Sequence, residues 1–345
     1  MSRAWDEASR LRAAIMRDGL PIARLKGLEI GPLANPIVAR SEGDITYVDQ
    51  ADTDSLRRTY AGDTTINPAN IVEIDAVWGQ QALAEGLGGC TVDYVMASHV
   101  AEHVPDLVTW LAEVRSVLKP GGELRLALPD RRFSHDALRT ETRLSQLLTA
   151  WVLGARKPQV QDVLDFRLYT ASGVDGGRVF RDNADLSSIA PDHPFEVAVR
   201  SAEAARDRPD LYFDVHCLVA SAKWFAHLMA EIAARGLLPM RCARMIDTAP
   251  PLFEFYVFMT PCEDPAEIRR SWHEAWWNCD DPLPGSAAAS QIAEAAQERA
   301  RLAALAGEAE RARAELAAVR LQLAALQRSA SWRLTAPLRR LRSRM

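Results

Sequence analysis

At 345 residues the chain can bury a full core and still carry appendages. Its formal net charge of -5 excludes nucleic acid as a partner of the whole protein, because phosphate binding needs a basic face. The five cysteines, Cys90, Cys217, Cys242, Cys262 and Cys279, lie far apart without C-x-x-C spacing, which fits reduced thiols and excludes a cysteine zinc site or a disulfide framework; no metal site is expected.

Residues 1–20 form an amphipathic stretch that carries acids and lacks the unbroken apolar run of a signal peptide. No later segment is long enough to span a bilayer, so the protein is expected on the cytoplasmic side. Five short apolar runs follow, at 26–31, 45–49, 70–75, 92–98 and 123–129, each bounded by turn or polar residues and reading as a buried strand. Between the fourth and fifth, Leu107, Val108, Leu111, Val114 and Leu118 recur at helical spacing, with Pro105 suited to a first turn and Lys119-Pro120-Gly121-Gly122 as the stop. Strand, helix, glycine turn and strand in that order predict a right-handed parallel crossover in a doubly wound sheet.

After Pro129 the alternation lapses until a helix at 221–236, followed by strand patterns at 241–247 and 254–260 whose short connection suits an antiparallel hairpin. Residues 131–215 therefore read as an insertion at a strand's carboxyl end, where it caps the ligand crevice. The fold class expected is α/β, a Rossmann-like mostly parallel sheet with a terminal antiparallel hairpin, an inserted cap and a C-terminal coiled coil. The domain plan is an N-terminal helix at 1–20, one domain at 21–262 with its cap at 131–215, a linker at 263–290, a coiled coil at 291–327 and a basic amphipathic tail at 328–345.

The coiled coil rests on Leu302, Leu305, Leu316, Val319, Leu323 and Leu326 in one heptad register, with Ala309 and Ala312 between. It implies a homo-oligomer; the alternative is a single Ala-rich helix lying on the protein's own surface. The tail holds several arginines with Trp332 and Leu334 and no acid. Either it touches an anionic membrane surface at the inner face, or it is a solvated basic terminus.

The chemistry-bearing residues fall at strand ends. Glu29-Ile30-Gly31 ends the first strand, where a residue without Cβ lets backbone approach a ligand. Asp49 ends the second, placed to accept bonds from ribose hydroxyls, and Asp75 ends the third. Helix capping is the other reading of each carboxylate.

The stretch DYVMASHVAEHVPDLVTWLAEVRSVLKPGGELRLALPD, Asp93 to Asp130, resembles class I S-adenosylmethionine-dependent methyltransferases of the type 11 kind. The resemblance covers residues 25–135 well and 211–260 loosely. It implies S-adenosylmethionine as cofactor, with Glu29 and Gly31 at its methionyl end, Asp49 at the ribose, Asp75 and Ala76 at the adenine, and the run from Ala97 through Ser98 to His99 beneath the sulfonium. Where the family shows G-x-G-x-G, this chain has Gly31-Pro32-Leu33-Ala34-Asn35-Pro36, so Pro32 and Asn35 join the cofactor set and Asn35 is expected to take a left-handed turn. Only residues 32–44 separate the first two strands, leaving a loop in place of a crossover helix.

Methyl transfer draws most of its rate from alignment and exclusion of water. A hydroxyl acceptor still gains from a base, and His103, His99 and Glu102 sit where the fourth strand opens into the cleft. Asp214 and His216 share one side of an extended segment and either face the acceptor or form a structural pair. Asp52-Thr53-Asp54 has the D-x-D form of metal-dependent glycosyl transfer but reads more simply as a helix cap. The residues from Arg328 resemble the endings of bacterial surface-polysaccharide enzymes, which implies a glycan or glycolipid acceptor. A scaffold with a degenerate cofactor fold is the alternative from another class.

Overall fold

The computed structural model describes residues 3–279 apart from 64–65, 80, 173–188, 209 and 250–251, together with 301, 311–314, 316–317 and 319–320. Helix α1 (Arg3–Arg17) leads to β1 (Lys26–Ile30) and β2 (Asp44–Asp49), which pair in parallel from Lys26 opposite Asp44 to Ile30 opposite Val48. Helix α2 (Thr53–Thr59), the two-residue β3 (Ala76–Val77), α3 (Leu83–Gly86), β4 (Val92–Ser98), α4 (Leu107–Val117) and β5 (Leu118–Pro129) continue the winding. Three described helices fill the insertion: α5 (Leu144–Leu153), α6 (Val160–Tyr169) and α7 (Phe195–Asp207). Then come α8 (Ala222–Ala234), β6 (Met240–Ile246), β7 (Glu254–Pro261) and α9 (Pro265–Asn278).

Among the described residues the sheet runs β3-β2-β1-β4-β5-β7-β6, with β7 antiparallel to both β5 and β6. This is the mostly parallel sheet with an antiparallel hairpin that the strand pattern predicts. Strand order reverses between β1 and β4, the point at which the loops above the carboxyl ends diverge and leave a crevice.

Alternation along the strands feeds two cores. Leu28, Ile30, Val48, Val95 and Ala97 point into one, with Leu111 and Val114 of α4, Phe225 of α8 and Trp272 of α9. Ile45, Tyr47, Tyr94 and Met96 point into the other, where Met16 of α1 and Ile37 and Val38 of the β1–β2 link cover them. That link is helix-free as expected, so its two aliphatic side chains do the covering that a crossover helix otherwise does. Helix α4 starts where Asp106 accepts the amide of Thr109 at 2.9 Å, and Ser221 caps α8 in the same way.

Besides β5, which begins at Leu118 and so takes in the expected stop at 119–122, two expected elements differ. Residues 70–75 are not a strand: Thr53 Oγ1 takes the amide of Ile74 and the carbonyl of Leu33 takes that of Val72, so these amides are spent outside any ladder. Nor is 263–290 a linker throughout, because Asp264 caps α9 and the helix buries Trp272 completely, its Nε1 donating to the Met240 carbonyl at 3.0 Å. Trp272 and Trp276 lie on the inner face and pack, whereas Trp277 lies on the outer face and is 76% exposed.

The chain divides into two units, Met1–Ser290 and Gln291–Met345. In the second, the described residues, Leu316 and Val319 among them, are helical and exposed. Most of the heptad positions at 291–327 and the whole tail at 328–345 lie outside the described residues. Among the described residues no helix is long and apolar enough to cross a membrane.

Candidate functional site

A cavity of about 520 Å³ opens at the carboxyl ends of β1, β2 and β4, lined by Gly31, Asp49, Trp78, His99, His103 and Asp214 among others. Gly31 follows β1 with φ +68, and a Cβ there would stand 2.5 Å from Val100 Cγ2. The turn thus needs glycine both for its backbone and for the close approach of Val100, itself a lining residue.

Glu29, expected at the ligand, instead points away from the cavity. Buried to 2% exposure, it accepts the amides of Ile37 at 2.6 Å and Val38 at 3.1 Å. Burial pushes its carboxyl up to about 7 against the pull of those two amides. Its role is to hold the 31–43 loop. Pro32 is buried and Asn35 exposed, and neither lines the cavity; Leu33, with φ 43, takes the left-handed position expected of Asn35 and is itself a lining residue.

Asp49 stands where expected. One carboxylate oxygen accepts the Gln50 amide at 2.7 Å, while Oδ2 is buried without a hydrogen-bond partner, and burial raises the carboxyl to about 6. A buried orphan acceptor beside a cavity marks the place of a donor such as a hydroxyl. Asp75 and Ala76 do not reach the cavity: Asp75 precedes β3 and binds Arg40 Nη2 and the Tyr47 amide, each at 2.7 Å. The residues after β3, Trp78 and Gly79, line it instead. Trp78 stacks on Trp110 at 5.6 Å between centroids and donates to Glu113 at 2.7 Å, which fixes its plane.

At the end of β4, Ser98 is not a lining residue but His99 is. His99 sits at φ 55, a strained conformation for a residue with Cβ. Its Nε2 is 2.5 Å from Glu254 Oε2 and its Nδ1 3.3 Å from Glu102 Oε1. Arg12 binds the same Glu254 oxygen with Nη2 at 2.7 Å. Burial opposes charge on His99, yet the two carboxylates outweigh it and raise its pKa to about 9. His99 is therefore an imidazolium at neutral pH and has no lone pair for a proton, which removes it as a base.

His103 lines the cavity with Nδ1 2.8 Å from Asp214 Oδ1. Here too burial opposes the charge and the neighbouring Asp214 and Glu102 raise the pKa. Glu102 and His216 do not line the cavity and lie buried beneath it, so neither contacts an acceptor in the cleft directly. His216 Nδ1 is 2.5 Å from Asp136 Oδ2, and Arg139 binds both Asp136 Oδ1 and the His216 carbonyl. The carbonyl of Glu102 accepts the amides of Cys217 and Leu218, tying this segment to the exit of β4. Of the pair Asp214 and His216, only Asp214 faces the cleft. The insertion contributes Arg156, Lys157 and Tyr212 to the cavity lining. Asp52 caps α2 through the Ser55 amide at 2.8 Å, and the glycosyl-transfer reading loses its basis.

No curated protein matches the chain. Among solved structures it is similar to the CcbJ methyltransferase from Streptomyces caelestis, at 16% identity over 41% of this chain and 59% of that one, with a TM-score of 0.27. It is similar also to the mitomycin 7-O-methyltransferase MmcR, at 12% identity over 75% and 54% of the two chains with a TM-score of 0.33. A third is DhpI in its SAH complex, at 15% identity over 76% and 89% with a TM-score of 0.36. The chain spans less than two thirds of the length of the first two structures. Residues 36–126 match the model of a family described as a methyltransferase domain.

Proposed function

We propose that the protein is an S-adenosylmethionine-dependent methyltransferase whose cofactor lies in the cavity above β1, β2 and β4. The observation that carries this reading is the buried, unpartnered Oδ2 of Asp49 at the end of β2, one strand from the Gly31 turn. Asp49 takes the ribose hydroxyls, the Gly31–Leu33 backbone takes the amino acid end, and Trp78 offers an aromatic face to the adenine. The cofactor supplies an electrophilic methyl group. The chain's own residues orient the acceptor, exclude water, and hold its proton.

The acceptor proposed is a hydroxyl of a cell-surface glycan or its lipid-linked precursor. Its chemistry is supported by the base that borders the cleft: His103, buttressed by Asp214, is placed to take a hydroxyl proton, and Asp214 favours the resulting imidazolium. His99, a fixed cation between Glu102 and Glu254, holds the cleft floor rigid. The glycan assignment is supported by the resemblance of residues 328–345 to endings of polysaccharide enzymes, and with it go self-association through 291–327 and contact of the tail with the inner membrane face.

Calorimetry of the full chain with S-adenosylmethionine and with its demethylated product tests the reading. Saturable binding of both is expected, weakened at least about tenfold by Asp49→Ala, the loss of a charge-assisted hydrogen bond. Absence of binding at millimolar ligand overturns it in favour of a scaffold.

A further inference from the structure

Directly under the cavity floor, Glu102, His103 and His216 each bring one ligand atom within 4.8 Å of the others. The expectation from sequence, read from cysteine spacing, is no metal; these three residues come from two distant segments, the turn after β4 and the extended run before α8. What joins them is the backbone bonding of Glu102 to Cys217 and Leu218.

The Glu102 side chain is 1% exposed; its Oε1 is paired with the His99 imidazolium, 3.3 Å from Nδ1, and its Oε2 has no hydrogen-bond partner. A carboxylate so deeply buried normally has its oxygens engaged by donors or by a metal ion. Each histidine also meets the requirement of a metal ligand. Nδ1 of His216 faces Asp136 and Nδ1 of His103 faces Asp214, at 2.5 and 2.8 Å. A proton held on Nδ1 of His216 leaves its Nε2 as the lone-pair donor, while Asp214 stands beside His103 as an ion-pair partner whose contact with Nδ1 is not an aligned hydrogen bond. Asp136 is itself fixed by Arg139, which also binds the His216 carbonyl. Two imidazoles, one carboxylate and an outer carboxylate behind each ring form a donor set suited to zinc-type divalent cations with a position left open.

We propose that Glu102, His103 and His216 bind one divalent transition-metal ion of the zinc class beneath the cleft, with Asp136 and Asp214 as positioning residues. Because His103 borders the cleft, the open position is served from the cavity side, by water or by an acceptor hydroxyl. An ion there would polarise that hydroxyl as a Lewis acid and lower its pKa, so that the proton passes to water in the cleft, His103 being held as a ligand and no longer free to accept it. The catalytic consequence rests on the function proposed above; metal binding itself does not.

The test uses the full chain stripped with chelator, titrated calorimetrically with Zn²⁺ and spectroscopically with Co²⁺. One equivalent per chain is expected, with Co²⁺ giving visible bands of a four- or five-coordinate nitrogen and oxygen site. Glu102→Gln and His216→Ala should each weaken Zn²⁺ binding by at least about 100-fold, and Asp136→Asn by about 10- to 100-fold with a shifted Co²⁺ spectrum. Glu102→Gln is close to isosteric and keeps the test valid should His216→Ala fail to fold. No saturable binding, or binding unaffected by Glu102→Gln, overturns the proposal. S-adenosylmethionine titrated into the same metal-free samples reads the cofactor site separately: binding retained there while Zn²⁺ binding is absent sinks the metal site alone.

Discussion

Glu29 and Ile37 are joined by a hydrogen bond of 2.6 Å from the Ile37 amide to Oε1, and the adjacent Val38 amide reaches Oε2 of the same carboxylate. One side chain at the end of β1 thus satisfies two buried donors in a link that has no helix to satisfy them. Glu29→Ala leaves both amides unpaired and should lower stability by about 2–4 kcal/mol, at roughly 1–2 kcal/mol for each orphaned donor. Glu29→Gln keeps one acceptor and should lose about half of that. Urea unfolding read by tryptophan fluorescence checks the order; an Ala variant as stable as the wild type would show that the loop is held by Ile37 and Val38 packing alone.

Much of this architecture is legible in the sequence, and the parts that are not have identifiable causes. The strand-end positions of Asp49 and Gly31 are legible because strand ends in a doubly wound sheet are fixed by apolar runs, and α4 because its apolar residues recur at helical spacing after Pro105; its cap, Asp106, is seen only in the structure. Residues 71–74 mislead because Ile71, Val72 and Ile74 mimic alternation, while the amides of Val72 and Ile74 go to Leu33 and Thr53, contacts that no local pattern encodes. The same displacement moves the cavity position from Asp75 to Trp78. His99 reads as a possible base until Glu254, 155 residues away, is seen against it. A charge state set by long-range partners is invisible to spacing, and so is the meeting of Glu102 with His216.

The Asp49 carboxyl gives cofactor binding a pH dependence of known sign. Burial raises its pKa from 3.8 to about 6 in the free protein, and hydroxyl donors favour the charged form and lower it again on binding. Below about pH 6 the free protein must therefore release a proton to bind. Affinity should fall by up to tenfold per pH unit from 6 toward 5 and stay flat above 7, and Asp49→Asn should bind more weakly but without this slope. For folding, the raised pKa means that this group's contribution to stability declines as pH rises from about 4 to 6. Calorimetry in buffers of different ionisation heat at pH 5.5 measures the released proton directly; its absence would place the ribose contact elsewhere.

Gly31→Ala meets two obstacles that can be separated. The left-handed backbone at φ +68 costs a residue with Cβ about 1–2 kcal/mol, and the new Cβ stands 2.5 Å from Val100 Cγ2. The single variant should be destabilised and lose cofactor affinity, since Val100 must move within the cavity wall. Adding Val100→Ala should restore the part due to the clash and leave the backbone part. A double variant no better than Gly31→Ala would assign the whole effect to backbone conformation.

The pair at the cavity edge can be dissected by comparing His103→Ala with Asp214→Asn. If His103 takes the acceptor proton, its removal should lower turnover by about 100-fold or more, within the range of general-base contributions, with cofactor affinity unchanged. Asp214 acts on the reaction only through His103 and should give a smaller loss, accompanied by a lower apparent pKa in the kcat/KM profile, because Asp214 helps to hold the His103 pKa above its ordinary value. In the pH profile of the wild type, activity should rise as His103 loses its proton, and Asp214→Asn should move that rise toward acid. Chelated and zinc-loaded enzyme distinguish the two roles open to this histidine. A profile that shifts with Asp214→Asn in metal-free enzyme supports proton acceptance, and turnover that appears only with Zn²⁺ and lacks the shift assigns His103 to the metal.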